Sequence, residues 1–214
     1  MKKIDLMIFD LDGTLVDSGD DIASAVNYTL QKMSLPVLER EIVLGYVGDG
    51  VRELIERSIG DDNRDKAKEA YEMLISYYRI HCLDTTSVYP GVTDVLYHFR
   101  ETKKVIVTNK IEDLSRIIAS ALEIDGYFEE IIGRDTGPYK KPDPALMNLL
   151  TEKFSADVKK TVVVGDGWND INLAKNSGAL SCALLNGLGK RDSLLELNPD
   201  YACENITELK DLFF

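Results

Sequence analysis

Short apolar runs alternate with helical stripes along most of the chain. The stripes carry apolar residues at helical spacing, as in Val92, Val95, Leu96 and Phe99 before the second run. Apolar runs separated by helices are typical of the buried strands of a parallel sheet. The pattern therefore predicts an α/β fold whose core is a doubly wound, Rossmann-like parallel sheet. The expected strands cover residues 4–9, 105–108, 131–133, 161–165 and 180–185.

A different pattern covers residues 17–83, where apolar positions keep helical spacing and no strand is evident. Ile22, Val26, Leu30 and Met33 share one helical face, for example. Breaks at Pro36 and at residues 60–63 divide the segment into several helices. We therefore predict an all-helical segment at residues 17–83, inserted into an α/β core formed by residues 1–16 and 84–214.

Charge and composition narrow the function classes. The 214 residues carry a formal net charge of −12, which argues against general binding of nucleic acid. A small anionic substrate is still compatible, because a metal and a few cations can reverse the field within one cleft. No apolar run approaches the roughly 20 residues that cross a bilayer, and the N-terminus lacks the features of a signal peptide. We expect a cytoplasmic monomer or homodimer, with no membrane partner and with Cys82, Cys182 and Cys203 as reduced thiols.

Two carboxylates end the first apolar run. Asp10 and Asp12 are spaced by one residue, so on an extended chain both point to the same side. Like charges this close need a cation or a shared proton, unless the pair only forms a turn. Ligands of open α/β sheets bind at the carboxyl ends of the strands, which is where these residues fall. Gly13 allows close backbone approach, and the Thr14 hydroxyl can donate or cap.

Polar residues also follow later strands. Thr108 and Asn109 come after the second apolar run, just before a helix, as an anion site or a simple helix cap would. Lys141 precedes Pro142, which fits the first residue of the next helix, so its ammonium can face a phosphate there or be solvated.

The fourth run ends in another pair of acids. Asp166 follows it directly, and Asp170 shares a face with Asp166 if a helical turn begins between them, the alternative being an acidic loop. The carboxyl ends of all these strands meet at one edge of a parallel sheet. Acids, a hydroxyl, an amide and a lysine are therefore expected to form one site.

These residues resemble the four motifs of the haloacid dehalogenase superfamily of phosphohydrolases. The resemblance matches residues 10–14 (DLDGT) to the first motif, Thr108 to the second, Lys141 to the third, and Asp166 with Asp170 to the fourth. The helical insert is similar to the family's cap. Residues 10–18 (DLDGTLVDS), 48–52 (GDGVR) and 141–144 (KPDP) look most like the phosphoglycolate phosphatase branch, although sugar-phosphate phosphatases and pyrophosphatases share them.

The resemblance implies a phosphatase that works through an aspartyl-phosphate intermediate. Asp10 would attack phosphorus, and Asp12 would protonate the leaving group and later activate water. Mg²⁺ would be bound by the Asp10 carboxylate, the Asp12 main-chain carbonyl and Asp166, with Asp170 directly coordinating or supporting it. The phosphoryl group is expected to contact a set of residues at the same edge: Gly13, Thr14, Thr108, Asn109 and Lys141.

Substrate choice is expected to come from the cap. A small phosphorylated acid such as 2-phosphoglycolate needs a cation for its carboxylate, and Arg52 in the cap offers one, unless it is only a surface residue of an amphipathic helix. A phosphomutase of the same superfamily is an alternative. Non-enzymatic alternatives are a phosphoacceptor signalling domain, which would lack the helical insert, and a scaffold protein, which would usually have lost the nucleophile or the acid.

Overall fold

A six-stranded parallel sheet forms the centre of the protein. The computed structural model describes every residue from Met1 to Phe214. The eight strands are β1 (Leu6–Phe9), β2 (Val16–Asp17), β3 (Ser87–Val88), β4 (Lys103–Val107), β5 (Glu130–Ile132), β6 (Thr161–Gly165), β7 (Leu180–Leu184) and β8 (Tyr201–Cys203). Six of them form the main sheet in the order β5-β4-β1-β6-β7-β8, and each neighbouring pair is parallel. The predicted α/β fold class is confirmed: the five expected strands are found, whereas the short strands β2 and β3 and the edge strand β8 were not predicted.

Helices cover both faces of this sheet. The ten α-helices are α1 (Gly19–Lys32), α2 (Arg40–Leu44), α3 (Val51–Ile59), α4 (Ala67–His81), α5 (Val92–His98), α6 (Glu112–Ala121), α7 (Pro144–Phe154), α8 (Trp168–Ser177), α9 (Arg191–Glu196) and α10 (Leu209–Leu212). On β1, Met7 and Phe9 pack into one apolar cluster, while Leu6 and Ile8 pack into another. All four side chains are fully buried, as the continuous apolar run of a central parallel strand predicts.

The segment between β2 and β3 is helical, as the sequence predicts. It contains α1 to α4 and a short 3₁₀ helix at Asp61–Lys66. Ile22, Val26 and Leu30 are buried along the expected face of α1, and Met33 is partly buried beside them. The two connections to the core pair with each other as the antiparallel strands β2 and β3. The second connection therefore runs past residue 83, where the sequence pattern places the end of the cap.

Helix α7 begins two positions later than expected. The sequence interpretation placed Pro142 at its first residue, but the helix starts at Pro144. Asp143 caps it, because its side chain accepts a hydrogen bond of 2.9 Å from the Ala145 N–H. Lys141 consequently lies on the loop before the helix and not within its first turn.

The three cysteines are buried, and two of them lie close together. Cys82, Cys182 and Cys203 are free and buried. Cys182 and Cys203 lie on neighbouring strands, with their sulfur atoms 3.6 Å apart. None of the helices combines the length and the apolar character that crossing a bilayer requires.

Candidate active site

The carboxyl ends of three neighbouring strands bring the predicted acids and the predicted hydroxyl to one place. Strand β1 pairs with β4 on one side and β6 on the other, and its last residue, Phe9, pairs with the next-to-last residue of each. Asp10 follows β1, Thr108 follows β4 and Asp166 follows β6. Because each residue directly follows its strand, the fold itself places them together at one edge.

A buried lysine lies against the predicted nucleophile. Lys141 Nζ is 2.9 Å from Asp10 Oδ1 and 2.7 Å from Asp170 Oδ1, and its side chain is 1% exposed. Burial alone would lower the pKa of Lys141, but the two carboxylates outweigh it and hold that pKa above its usual range. Lys141 therefore contributes a permanent positive charge beside Asp10.

Asp166 is oriented by three hydrogen-bond donors. Thr14 Oγ1 donates to it at 2.7 Å, and the Leu188 and Gly189 N–H groups donate at 2.8 and 3.1 Å. Burial, aided by a neighbouring carboxylate, raises the pKa of Asp166 to about 6 despite these donors. The Thr14 hydroxyl, expected at the phosphoryl group, is thus engaged with Asp166.

The acidic groups fit a divalent cation. Oxygens of Asp10, Asp166 and Asp170 all lie within 4.8 Å of one another. Burial raises the pKa of Asp170, although the nearby Lys141 ammonium opposes that shift. Gly13 makes room for this cluster, since a Cβ at its position would lie 2.0 Å from Asp166 Oδ2. Convergent carboxylates supply the hard oxygen ligands that Mg²⁺ prefers.

Thr108 and Asn109, which follow β4, make hydrogen bonds to different parts of the protein. The buried Thr108 contributes to the wall of the cavity described below, and its Oγ1 accepts a hydrogen bond of 3.2 Å from the Lys110 N–H. Asn109 Nδ2 donates to the Gly48 carbonyl at 2.9 Å. Asn109 therefore joins the sheet edge to the helical insert through its side chain.

Asp12, the predicted acid and base, has a cationic partner that sequence reasoning missed. Lys110 Nζ lies 3.0 and 2.9 Å from the two carboxylate oxygens of Asp12 and 3.0 Å from the Tyr78 hydroxyl oxygen. Ser18 Oγ also donates to Asp12, at 2.5 Å. Lys110 immediately follows Thr108 and Asn109, so its position after a strand end was the available signal.

A cavity of about 290 Å³ opens from these residues toward the insert. Its wall combines the polar strand ends with apolar side chains of α1, α3 and α4, including Ile22, Leu54 and Leu74. The structure does not bring Arg52 to this wall. Arg52 is exposed on α3, and its guanidinium lies 5.9 Å from the centre of the Tyr71 ring. Arg52 therefore lies where a surface residue of an amphipathic helix would lie, and not where it could contact a ligand in the cavity.

The loop before α3 docks the insert onto the core. Asn169 Nδ2 donates to the Gly48 carbonyl and to Asp49 Oδ1, both at 3.1 Å. Trp168 Nε1 donates to the same Asp49 oxygen at 3.2 Å. Nothing in the local sequence pattern of these residues indicated this contact, of which Gly48 and Trp168 also line the cavity.

Sequence comparison links the chain to proteins of known family. A family model described as "Haloacid dehalogenase-like hydrolase" matches residues 7–184. A phosphoglycolate phosphatase of Chromobacterium violaceum is 36% identical, over 99% of this chain and 97% of the relative. A phosphoglycolate phosphatase of Aquifex aeolicus is 34% identical, over 97% of this chain and 95% of the relative.

Solved structures are similar to this chain over nearly its whole length. The crystal structure of a predicted phosphoglycolate phosphatase from Haemophilus somnus 129pt has a TM-score of 0.92 and 27% identity, covering 99% of both chains. A haloacid dehalogenase-like hydrolase from Streptococcus pneumoniae has a TM-score of 0.86 and 25% identity, covering 98% of both chains.

Proposed function

The chain belongs to the haloacid dehalogenase-like hydrolase family, and we propose that it is a Mg²⁺-dependent phosphatase acting on 2-phosphoglycolate. The observation that carries this proposal is the contact between Asp10 and Lys141 within a cluster of buried carboxylates. A nucleophilic carboxylate beside a fixed cation is what phosphoryl transfer to an aspartate needs. The resemblance seen in the sequence and the full-length similarity to named relatives support the same reaction.

In the proposed reaction four residues of the chain have separate roles. Asp10 attacks phosphorus in line with the departing alkoxide and becomes an aspartyl-phosphate. Asp12 gives its proton to the leaving oxygen, then removes a proton from the water that cleaves the intermediate. Lys141 and Thr108 bind the phosphoryl oxygens, whose charge is greatest in the transition state.

The metal ion would be held by Asp10 and Asp166, with the main-chain carbonyl of Asp12. When bound, Mg²⁺ neutralises part of the phosphate charge, so that an anionic nucleophile can approach. Asp170 Oδ1 accepts a hydrogen bond from Lys141 at 2.7 Å, and its Oδ2 accepts one from the Gly167 N–H at 3.1 Å. Asp170 would therefore orient Lys141 and add its charge to the acidic cluster around the ion.

The substrate proposal rests on the relatives and on the size of the cavity. Several relatives at 30–36% identity are named phosphoglycolate phosphatase. A cavity of about 290 Å³ suits a small metabolite better than a polymer. A cytoplasmic location and a monomeric or homodimeric state stay predictions.

The test is phosphate release from 2-phosphoglycolate and from an aryl phosphate. We expect activity to disappear with excess chelator and to return with Mg²⁺. Asp10→Asn should lower kcat by about 10⁴-fold or more, because it removes the nucleophile. The matched control is Asp62→Asn on the exposed 3₁₀ helix of the insert, which should keep parental activity.

Four outcomes would contradict the proposal. Full turnover in excess chelator would exclude the metal's role, and near-parental turnover by Asp10→Asn would exclude that nucleophile. A stable phosphoprotein without turnover would instead indicate a phosphoacceptor domain. Transfer of the phosphoryl group to a second position of a sugar phosphate would indicate a phosphomutase.

A further inference from the structure

The cavity offers few cations to a carboxylate. The charged side chains in its wall are three acids, Asp10, Asp12 and Asp166, and two lysines, Lys110 and Lys190. Lys190 is exposed where α9 begins, whereas the Lys110 side chain is only 9% exposed. A cation shielded from water interacts more strongly with an anion than a solvated one does. Lys110 is therefore the stronger candidate for binding a charged leaving group.

The surroundings of Lys110 are suited to an anion. Tyr78 accepts a hydrogen bond from Lys110, and its own hydroxyl hydrogen is not donated to any group of the protein. Around this pair the cavity wall is apolar, with Ile75, Ile111 and Leu114 among its residues. The ammonium donates to both oxygens of Asp12 and to Tyr78, so it can turn to a substrate carboxylate when Asp12 carries the proton that it gives to the leaving group. Together with the hydroxyl hydrogen of Tyr78 it then forms a two-donor site for a carboxylate in an apolar wall.

The position of Lys110 relative to Asp12 matches the length of the substrate. Asp12 must reach the ester oxygen to protonate it, at roughly 3 Å. In 2-phosphoglycolate a single methylene separates that oxygen from the carboxylate. Lys110 Nζ lies 2.9 Å from Asp12, so a group one methylene beyond the ester oxygen falls within its reach.

We propose that Lys110, together with the Tyr78 hydroxyl, binds the carboxylate of the leaving group and so selects acidic substrates. This inference rests on the proposed function and names the residues behind its substrate preference. It replaces the expectation that Arg52 supplies that cation, because Arg52 lies outside the cavity. Lys110 is a specificity-determining residue on the core, adjacent to the phosphoryl-binding Thr108, and not a residue of the cap.

The test compares two esters that differ only in the charged group, 2-phosphoglycolate and its neutral amide, 2-phosphoglycolamide. The readout is the ratio of the two kcat/KM values with Mg²⁺ present. Loss of Lys110 also removes the partner of Asp12, which should slow both esters alike, so the ratio isolates carboxylate recognition. We expect the parent to favour 2-phosphoglycolate and Lys110→Met to reduce that preference by about 10- to 100-fold.

Three further variants sharpen the result. Tyr78→Phe keeps the ring and should reduce the preference by about 3- to 10-fold. Lys190→Met and Arg52→Ala are charge-matched controls and should leave the ratio unchanged. Binding, measured by calorimetry, provides a second readout. In an Asp10→Asn background, Lys110→Met should raise the Kd of 2-phosphoglycolate by about 10-fold or more.

Any of the following outcomes would contradict the inference. Equal losses on both esters with Lys110→Met would show that Lys110 only positions Asp12. A selective loss with Lys190→Met or Arg52→Ala would assign the carboxylate to that residue instead. A parent that cleaves both esters equally would reject this inference alone, whereas a parent that cleaves neither would reject the proposed function.

Discussion

Lys141 has a neighbour of identical chemistry, so the two lysines form a natural comparison at the scale of single residues. Lys141 is buried between Asp10 and Asp170. Lys140 is exposed and contacts Glu53 Oε1 at 3.3 Å. The same side chain therefore carries a buried, doubly paired charge at one position and a solvated one at the next.

We expect Lys141→Ala to lower kcat/KM by about 10²- to 10³-fold, the usual effect of losing a group that stabilises transition-state charge. It should also destabilise the fold by about 3–5 kcal/mol without Mg²⁺, because it leaves buried carboxylates unpaired. Steady-state kinetics and urea unfolding measure the two effects. Lys140→Ala is the control and should change each by little. Similar losses in both variants would contradict the role given to Lys141.

At the scale of elements, Asp21 ties the first turn of α1 to the chain that returns to the core. Its carboxylate accepts from the Thr85 and Thr86 N–H groups and from both hydroxyls, at distances between 2.6 and 3.1 Å. Burial opposes ionisation, but these donors outweigh it and lower the pKa of Asp21 below its ordinary value of 3.8. Asp21 thus stabilises the base of the cap in its charged form.

We expect Asp21→Asn to reduce the free energy of unfolding by about 1–3 kcal/mol at pH 7. The contribution of Asp21 is fully present above pH 3.8 and declines as the pH falls toward the lowered folded-state value, where the carboxylate becomes protonated. The difference between parent and variant should therefore shrink at pH 3. Urea unfolding at both pH values measures it.

Asp20→Asn is the matched control, because Asp20 lies in the same helical turn but its side chain is 61% exposed and paired with Arg40. It should cost less than about 1 kcal/mol. An equal effect of the two variants would mean that Asp21 acts through the helix dipole alone, and not through the connection to Thr85 and Thr86.

At the scale of the whole molecule, an ion pair holds the cap against the core. Arg134, on the loop after β5, donates to Glu53 of α3 at 2.7 and 3.3 Å and to the Asp49 carbonyl at 3.4 Å. Burial raises the pKa of Glu53, but the hydrogen bond from Arg134 and the nearby charges outweigh it and bring that pKa to about 2. Arg134 thus contacts the same residue, Asp49, that accepts hydrogen bonds from Trp168 and Asn169 of the core.

We expect Arg134→Ala to loosen this contact and to speed amide hydrogen exchange in residues 45–59 by about 3- to 10-fold, since a partly exposed pair contributes about 1 kcal/mol. Exchange in β1 and β6 should stay as in the parent. Arg116→Ala is the control, because it removes an exposed ion pair with Glu112 on α6, within the α/β domain. Unchanged exchange of the loop in Arg134→Ala would show that the cap is held by its other contacts.

The local sequence was sufficient for the sheet and for most of the core site. Buried strands need continuous apolar runs, and a polar residue directly after such a run must lie at the carboxyl edge. Asp10, Thr108 and Asp166 follow this rule, so their convergence required only the prediction of a parallel sheet. Strand β8 was not predicted because a run of three residues is too short to stand out, and only Cys203 of the three is buried.

Tertiary structure alone decided which charges meet. Asp12 and Lys110 are 98 positions apart, and no periodicity connects them; they touch because β1 and β4 are neighbours and Tyr78 packs over them. Arg52 lies one position from the cavity-lining Val51, but the rotation of α3 directs it to Tyr71 and to solvent. Helical spacing states which residues share a face, whereas the partner of that face depends on how the insert packs on the core. The sequence therefore determined which polar residues meet at the carboxyl edge of the sheet, and packing decided which cations lie beside them.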